Sequence, residues 1–217
     1  MAQRPSCPLC AKRRPERFCP AQGEKICAVC CGTERERTLD CPADCAYLIT
    51  AHRYEQEHRQ PLGPGELPFP GVEVSRDLIY EHQPLVNSFA HALVKFSDEQ
   101  RALTDPDALA AITALAETYR TLVSGIYYEK PPAAPLPASL YAALASFIQE
   151  YKQQQSARAG FAGLKDSAIF PVLVYLARVC RSSANGRPRS RLFLELLRAG
   201  EPQAQERPAE TSRIITP

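Results

Sequence analysis

The sequence contains no tryptophan and one methionine, and no window approaches eighteen consecutive apolar residues, which excludes a membrane-spanning helix of ordinary length. Its 26 basic and 24 acidic side chains leave a formal charge of +2, too near neutrality for the field of the whole molecule to capture nucleic acid. The first ten residues, MAQRPSCPLC, lack the apolar stretch of a secretory signal. A reducing cytoplasm is therefore the expected compartment, where disulfides are rare and clustered thiols bind metal. No phosphate-binding loop, GxSxG, HExxH or dinucleotide glycine pattern occurs, so no enzymatic activity is expected. What remains is a chain of 217 residues, 45% hydrophobic and 23% charged, long enough for one ordinary domain and a small one and too apolar for wholesale disorder.

Cysteine is plentiful, but only at one end. Eight of nine cysteines (Cys7, Cys10, Cys19, Cys27, Cys30, Cys31, Cys41 and Cys45) precede residue 46, and Cys180 stands alone. Cys7-Pro-Leu-Cys10 and Cys27-Ala-Val-Cys30 are knuckle pairs with two intervening residues, and Cys41 and Cys45 stand four apart. Structural zinc takes four thiolate or imidazole ligands, offered as such close pairs. Pro42 suits the first position of a helix, which would make Cys41 its N-cap and bring Cys45 over the same face one turn later. Cys30 and Cys31 are adjacent in what reads as an irregular segment, where neighbouring side chains diverge, so they are assigned to different ions, with Gly32 supplying the backbone freedom for the turn.

The preferred pairing is interleaved: Cys7, Cys10, Cys27 and Cys30 hold one zinc ion, and Cys19, Cys31, Cys41 and Cys45 hold a second. A sequential pairing, with Cys7, Cys10, Cys19 and Cys27 on one ion and Cys30, Cys31, Cys41 and Cys45 on the other, is the alternative. An iron–sulfur cluster is the rival to zinc, since four thiolates suit it too. Each four-thiolate zinc carries a net charge of about −2. Lys12, Arg13, Arg14, Arg17, Lys25, Arg35 and Arg37 lie among the ligands and neutralise that charge without any need for nucleic acid.

Over CPLC…FCP…ICAVCCGTERE…CPADCAYL the chain resembles uncharacterised bacterial proteins that open with the same cysteine-rich signature, and it matches them loosely around NGRPRSRLFLELL. The module is more distantly similar to two-zinc cross-brace fingers of the HIT, MYND and B-box kinds. That resemblance implies cross-bracing and protein binding, although those fingers include histidine ligands and a different last spacing.

The rest of the chain is expected to be all-α, giving a mainly α protein: a small irregular two-zinc module with its exit helix at 1–59, a Pro/Gly linker at 60–74, a helical bundle at 75–200 and a disordered tail at 201–217. Ser75 is a capping residue, and Pro84 divides a short turn from a helix running through Phe96. Asp105 is expected as an N-cap with Pro106 following, and Leu109, Ile112, Leu115, Tyr119, Leu122 and Ile126 recur at helical spacing. Further helices are expected at about 138–155, over LKDSAIFPVLVYLARVC at the bundle centre, and from Pro188 to Gly200.

Arg178, Arg181, Arg187, Arg189 and Arg191 form a candidate anion-binding cluster around a SSANG turn. The plainer alternative is a solvated connection, because residues 61–217 balance 16 basic against 16 acidic side chains. His52, His58, His82 and His91 are not needed as ligands, and Cys180 reads as a small core residue. The function this favours is a non-catalytic zinc-binding adaptor whose partner is another protein, with no membrane association. A nucleic-acid binder using the arginines at 12–17 and 178–191 is the alternative.

Overall fold

The computed structural model describes residues 5–159 and 163–200, so the tail expected at 201–217 lies outside the described residues. Among these are eight α-helices and a single two-stranded sheet, which makes the protein mainly α, as the sequence leads one to expect.

The N-terminal module begins with a hairpin. Strands β1 (Arg17–Cys19) and β2 (Glu24–Ile26) pair antiparallel with Phe18 opposite Lys25. Gly23, at φ +71°, turns the four-residue connection, and both Gln22 and Gly23 donate their N–H to the Cys19 carbonyl. Helix α1 (Ala28–Glu34) follows directly, and α2 (Ala46–Glu57) leaves the module. The core beneath them contains Cys7, Cys19, Ile26, Cys27, Cys30 and Leu39. Only two of those are aliphatic, contributing about 1.5–3 kcal/mol each. So small an apolar core is typical of segments held by a metal or another cross-link.

The segment at 60–74 is less free than its composition suggests. It forms one 3-10 turn (Pro64–Glu66). Phe69 packs edge-on against Phe170 at 5.8 Å between ring centroids. Arg178 donates to the carbonyls of Pro68 (3.1 Å), Phe69 (2.6 Å) and Val72 (2.6 Å), strapping the segment along the bundle.

The bundle comprises α3 (Arg76–Glu81), α4 (Gln83–Glu99), α5 (Asp105–Val123), α6 (Pro135–Ala159), α7 (Asp166–Ser183) and α8 (Leu192–Gly200). Ser75 caps α3, accepting from the Leu78 N–H, and Pro84 sits in the first turn of α4. Helix α7 packs against α4, α5 and α8 and buries Ile169, Val172, Leu173, Leu176, Ala177 and Cys180, the central position expected of it.

Three boundaries differ from expectation. Thr104, not Asp105, is the N-cap of α5, in a reciprocal capping box with Asp107. Helix α5 ends at Val123 because Gly125 (φ +83°) breaks it, which leaves Ile126 63% exposed rather than on the apolar face. Helix α8 starts at Leu192 rather than Pro188, and its first turn is capped from a distance: the fully buried Asp105 carboxylate accepts from the Ser190 hydroxyl (2.7 Å) and the N–H groups of Phe193 (3.2 Å) and Leu194 (3.3 Å).

The module docks onto the bundle through the loop between α7 and α8. Arg187 donates to the carbonyls of Gly32 (3.2 Å) and Arg35 (2.5 Å). Asn185 bonds the carboxylates of Glu36 (2.8 Å) and Glu55 (3.3 Å), the Arg189 N–H reaches the Glu36 carbonyl (2.9 Å), and Arg191 pairs with Asp40 (2.7 Å). Arg59, just past α2, donates to the Ser182 carbonyl.

Candidate metal centre

Two loops bring four sulfurs together. The Cys7–Cys10 knuckle closes with the Ala11 N–H on the Cys7 carbonyl at 2.7 Å and the Cys7 N–H on the Arg13 carbonyl at 2.8 Å, and Ala11 adopts φ +52° to complete the turn. The second pair opens α1: Cys27 is the N-cap, and its sulfur accepts from the Cys30 N–H at 3.3 Å. The Cys27 N–H in turn donates to the Cys7 sulfur at 3.3 Å, tying one knuckle to the other.

The sulfurs of Cys7, Cys10, Cys27 and Cys30 all lie within 4.8 Å of one another, and those of Cys10 and Cys27 are 3.9 Å apart. Four thiolates at about 2.3 Å from a tetrahedral zinc stand about 3.8 Å apart, so the set has the size for one ion. In a cluster of several irons the thiolates attach to different metal atoms and spread wider. This quartet is the first half of the interleaved pairing. All nine cysteines are unbridged.

The electrostatics suit a cation. N–H groups of Lys12 and Arg13 on the Cys10 sulfur bring its pKa down to about 6. Burial raises that of Cys7, but the N–H groups of Cys27, Cys10 and Leu9 outweigh it and leave a net lowering. Cys30 is pushed up to about 12 by burial and then by the sulfurs of Cys27, Cys10 and Cys7. Thiolates packed this closely repel one another, so some retain protons until a cation balances them.

Cys30 and Cys31 diverge, but the physical reason is not an irregular turn. Both lie in α1, where successive side chains are separated by about 100° around the axis. Gly32 is likewise helical, with no left-handed φ. Cys31 faces a second location. It lines, with Cys19, Cys41 and Cys45, a small cavity of about 10 Å³. Burial raises the pKa of Cys41, the Glu36 N–H lowers it, and the charges of Cys19 and Cys45 raise it again. Among the described residues these four do not close into a set with every sulfur within 4.8 Å, as the first four do. Arg35 lines the same cavity, and its Nε is buried without a partner.

The Cys41–Cys45 geometry also differs from expectation. Residues 42–45 form a turn, with the Cys45 N–H on the Pro42 carbonyl at 3.0 Å, and Cys45 rather than Cys41 is the N-cap of α2. Proline at position 42 opens a tight turn instead of a helix.

The arginines expected to grip an anion are not gathered into one cluster. Arg178 holds the 60–74 segment, Arg187 holds α1, and Arg191 bonds the carbonyls of Leu103 (3.0 Å) and Arg101 (2.9 Å) besides Asp40. Arg181 lies in the last turn of α7, and Arg189 is exposed. His52 has a role that sequence reasoning missed: its Nε2 meets the buried Glu36 carboxylate at 3.0 Å. No local pattern marks that pair, because Glu36 and His52 sit in different elements.

No known protein family, curated protein or solved structure matches this chain. Among the described residues, no helix is long and apolar enough to cross a membrane.

Proposed function

We propose that this chain is a non-catalytic, zinc-stabilised interaction protein of the cytoplasm, whose cysteine module binds another protein. The observation that carries the reading is the quartet of Cys7, Cys10, Cys27 and Cys30, with all sulfurs within 4.8 Å of one another. Four protein thiolates fill a tetrahedral ion and leave no position for water, which favours a structural over a catalytic role. A second zinc between Cys19, Cys31, Cys41 and Cys45 belongs to the same reading. It is supported by their shared cavity and by the unpartnered Arg35 Nε beside it, since an arginine N–H suits a metal-bound thiolate.

The interaction role draws support from exposed apolar side chains of the module. Phe18 is 55% exposed and stands opposite the exposed Lys25, and Val29 and Leu9 are exposed as well. Exposed apolar side chains on a module that also exposes Lys12, Arg13 and Arg14 suit a protein partner with apolar residues and acidic groups. Nucleic acid is the second reading. The exposed basic residues at 12–14 favour it, whereas three arginines of the 178–191 stretch are engaged within the chain.

Metal analysis of freshly purified protein is expected to find two zinc ions per chain. One ion would overturn the second site, and less than one would overturn the reading. Phe18→Asp is expected to abolish binding of the native partner while zinc content stays unchanged. Retention on DNA or RNA that falls steeply with salt would favour the second reading.

A further inference from the structure

Where the module meets the bundle there is a cavity of about 340 Å³, lined in part by Cys41 of the second cysteine set. Its floor is apolar, formed by Leu48 and Ile49 of α2 and Leu192 of α8. Its polar wall carries Arg53 from α2 and Arg189 from the loop before α8. The volume falls at the lower end of the range for small-molecule sites, which favour junctions between folded units.

The charges do not balance locally. Glu36 lines the cavity, but its carboxylate is already held by His52 at 3.0 Å and Asn185 at 2.8 Å. Glu195 lines it too and is paired with Arg198 at 2.6 Å. Arg191 is matched by Asp40. The side chains of Arg53 and Arg189 are different. Both are exposed, and neither guanidinium has a hydrogen bond or an ion pair among the described residues. Two guanidiniums without counter-ions, one from each half of the protein, line one cavity above an apolar floor.

We propose that this cavity is a binding site for a small doubly charged oxyanion carrying a short apolar body, a phosphate monoester or a dicarboxylate. Arg53 and Arg189 grip the anionic group through paired N–H donors, whose planar fork matches phosphate and carboxylate oxygens. The apolar body rests on Leu48, Ile49 and Leu192. Because the two arginines come from opposite sides of the junction, the bound anion bridges the module and the bundle. Cys41 also lines the cavity, but the grip is assigned to Arg53 and Arg189 alone, and zinc content measured separately distinguishes failure of this site from failure of the zinc reading.

The test uses the full metal-loaded chain and calorimetric titration with phenyl phosphate, succinate and inorganic phosphate. Saturable one-to-one binding is expected for phenyl phosphate or succinate, tighter than for inorganic phosphate, and the better of the two identifies the source class. Arg53→Ala and Arg189→Ala are each expected to weaken it at least about tenfold, which is about 1.4 kcal/mol. Arg37→Ala, an exposed arginine of the module outside the cavity, is expected to leave it unchanged. Zinc content and melting temperature confirm that each variant is folded, as both target side chains are exposed and unbonded. The proposal is overturned if none of the three anions binds saturably up to roughly 10 mM, well below ordinary ligand affinities. It is equally overturned if the Arg37 variant loses as much affinity as the other two, or if removing Arg53 and Arg189 changes nothing.

Discussion

Replacing Asp105 by alanine removes the carboxylate that joins the start of α5 to the start of α8. Its oxygens accept from the Ser190 hydroxyl at 2.7 Å, the Phe193 N–H at 3.2 Å and the Leu194 N–H at 3.3 Å, and the side chain is fully buried. Alanine leaves two backbone donors buried and unbonded, at about 1–3 kcal/mol each. Part of that loss is returned, because burial of the charge raises the Asp105 pKa above the ordinary carboxylate range even though Ser190, Phe193 and Leu194 lower it. A net loss of about 2–4 kcal/mol follows, a large share of the 5–15 kcal/mol typical of a whole domain. In melting temperature that is roughly 5–15 °C for a chain of this length. Asp105→Asn keeps the shape but presents an amide N–H to one of the donors, and should cost about 1–2 kcal/mol.

The pH dependence has a definite sign. A carboxyl whose folded pKa is raised binds more protons in the folded state, so its contribution is complete below the ordinary carboxylate pKa and is lost as pH rises through the folded value. The stability advantage of the parent protein over Asp105→Asn should therefore shrink with rising pH. Urea denaturation followed through the helical signal gives both quantities. Taking the difference between the two proteins at each pH cancels the protonation of the metal ligands. An alanine variant within about 0.5 kcal/mol of the parent, or an advantage that grows with pH, would refute the capping argument.

Three further outcomes are expected. Cys30→Ser should lower the zinc content by at least one ion per chain and abolish hydrogen-exchange protection at 17–30 while α4 to α7 keep theirs, because structural zinc contributes about 10–16 kcal/mol in finger peptides; metal analysis with exchange mass spectrometry reads both. Arg178→Ala should destabilise by about 2–3 kcal/mol, given three carbonyl acceptors and bonds to a charged group worth about 1.5–3 kcal/mol, and limited proteolysis should then cut within 61–74 several times faster. Glu36→Ala leaves His52 and Asn185 without their shared acceptor, which should cost about 2 kcal/mol and raise exchange at 185–189 without loss of zinc.

The bundle was legible because its signals are local. Apolar spacing, Ser75 as a cap and the prolines at 84 and 106 mark helices wherever the chain meets them. The boundaries that shifted are those settled by distant partners. Asp105 looks like an N-cap from its neighbours alone, but its carboxylate is committed to Phe193 and Leu194, and Thr104 caps α5 instead. In the module, the paired cysteines disclosed the first four-sulfur set. The hairpin stayed hidden because strands of three residues are too short for alternation, and Gly23 was its one usable sign. Helix α1 was obscured by two cysteines and a glycine, which are poor helix formers. Arg187 and Arg191 read as anion ligands because their true partners, Gly32, Arg35 and Asp40, lie far away in sequence.

Glu36 explains how the cysteine chemistry and the helical part come to share one geometry. It adopts a left-handed backbone (φ +52°) although it is not glycine, and it is buried. Such a conformation costs about 1–2 kcal/mol and persists only where the surroundings over-determine it. Here every polar group of the residue is engaged separately. Its N–H donates to the Cys41 sulfur, its carbonyl accepts from the Arg189 N–H, and its carboxylate joins His52 to Asn185. The α7–α8 loop therefore docks against a surface whose shape is set from the cysteine side. A module that loses the Cys41 geometry loses the carbonyl and the carboxylate that receive Arg189 and Asn185. Through this one residue the local geometry at Cys41 and the seating of the α7–α8 loop are linked.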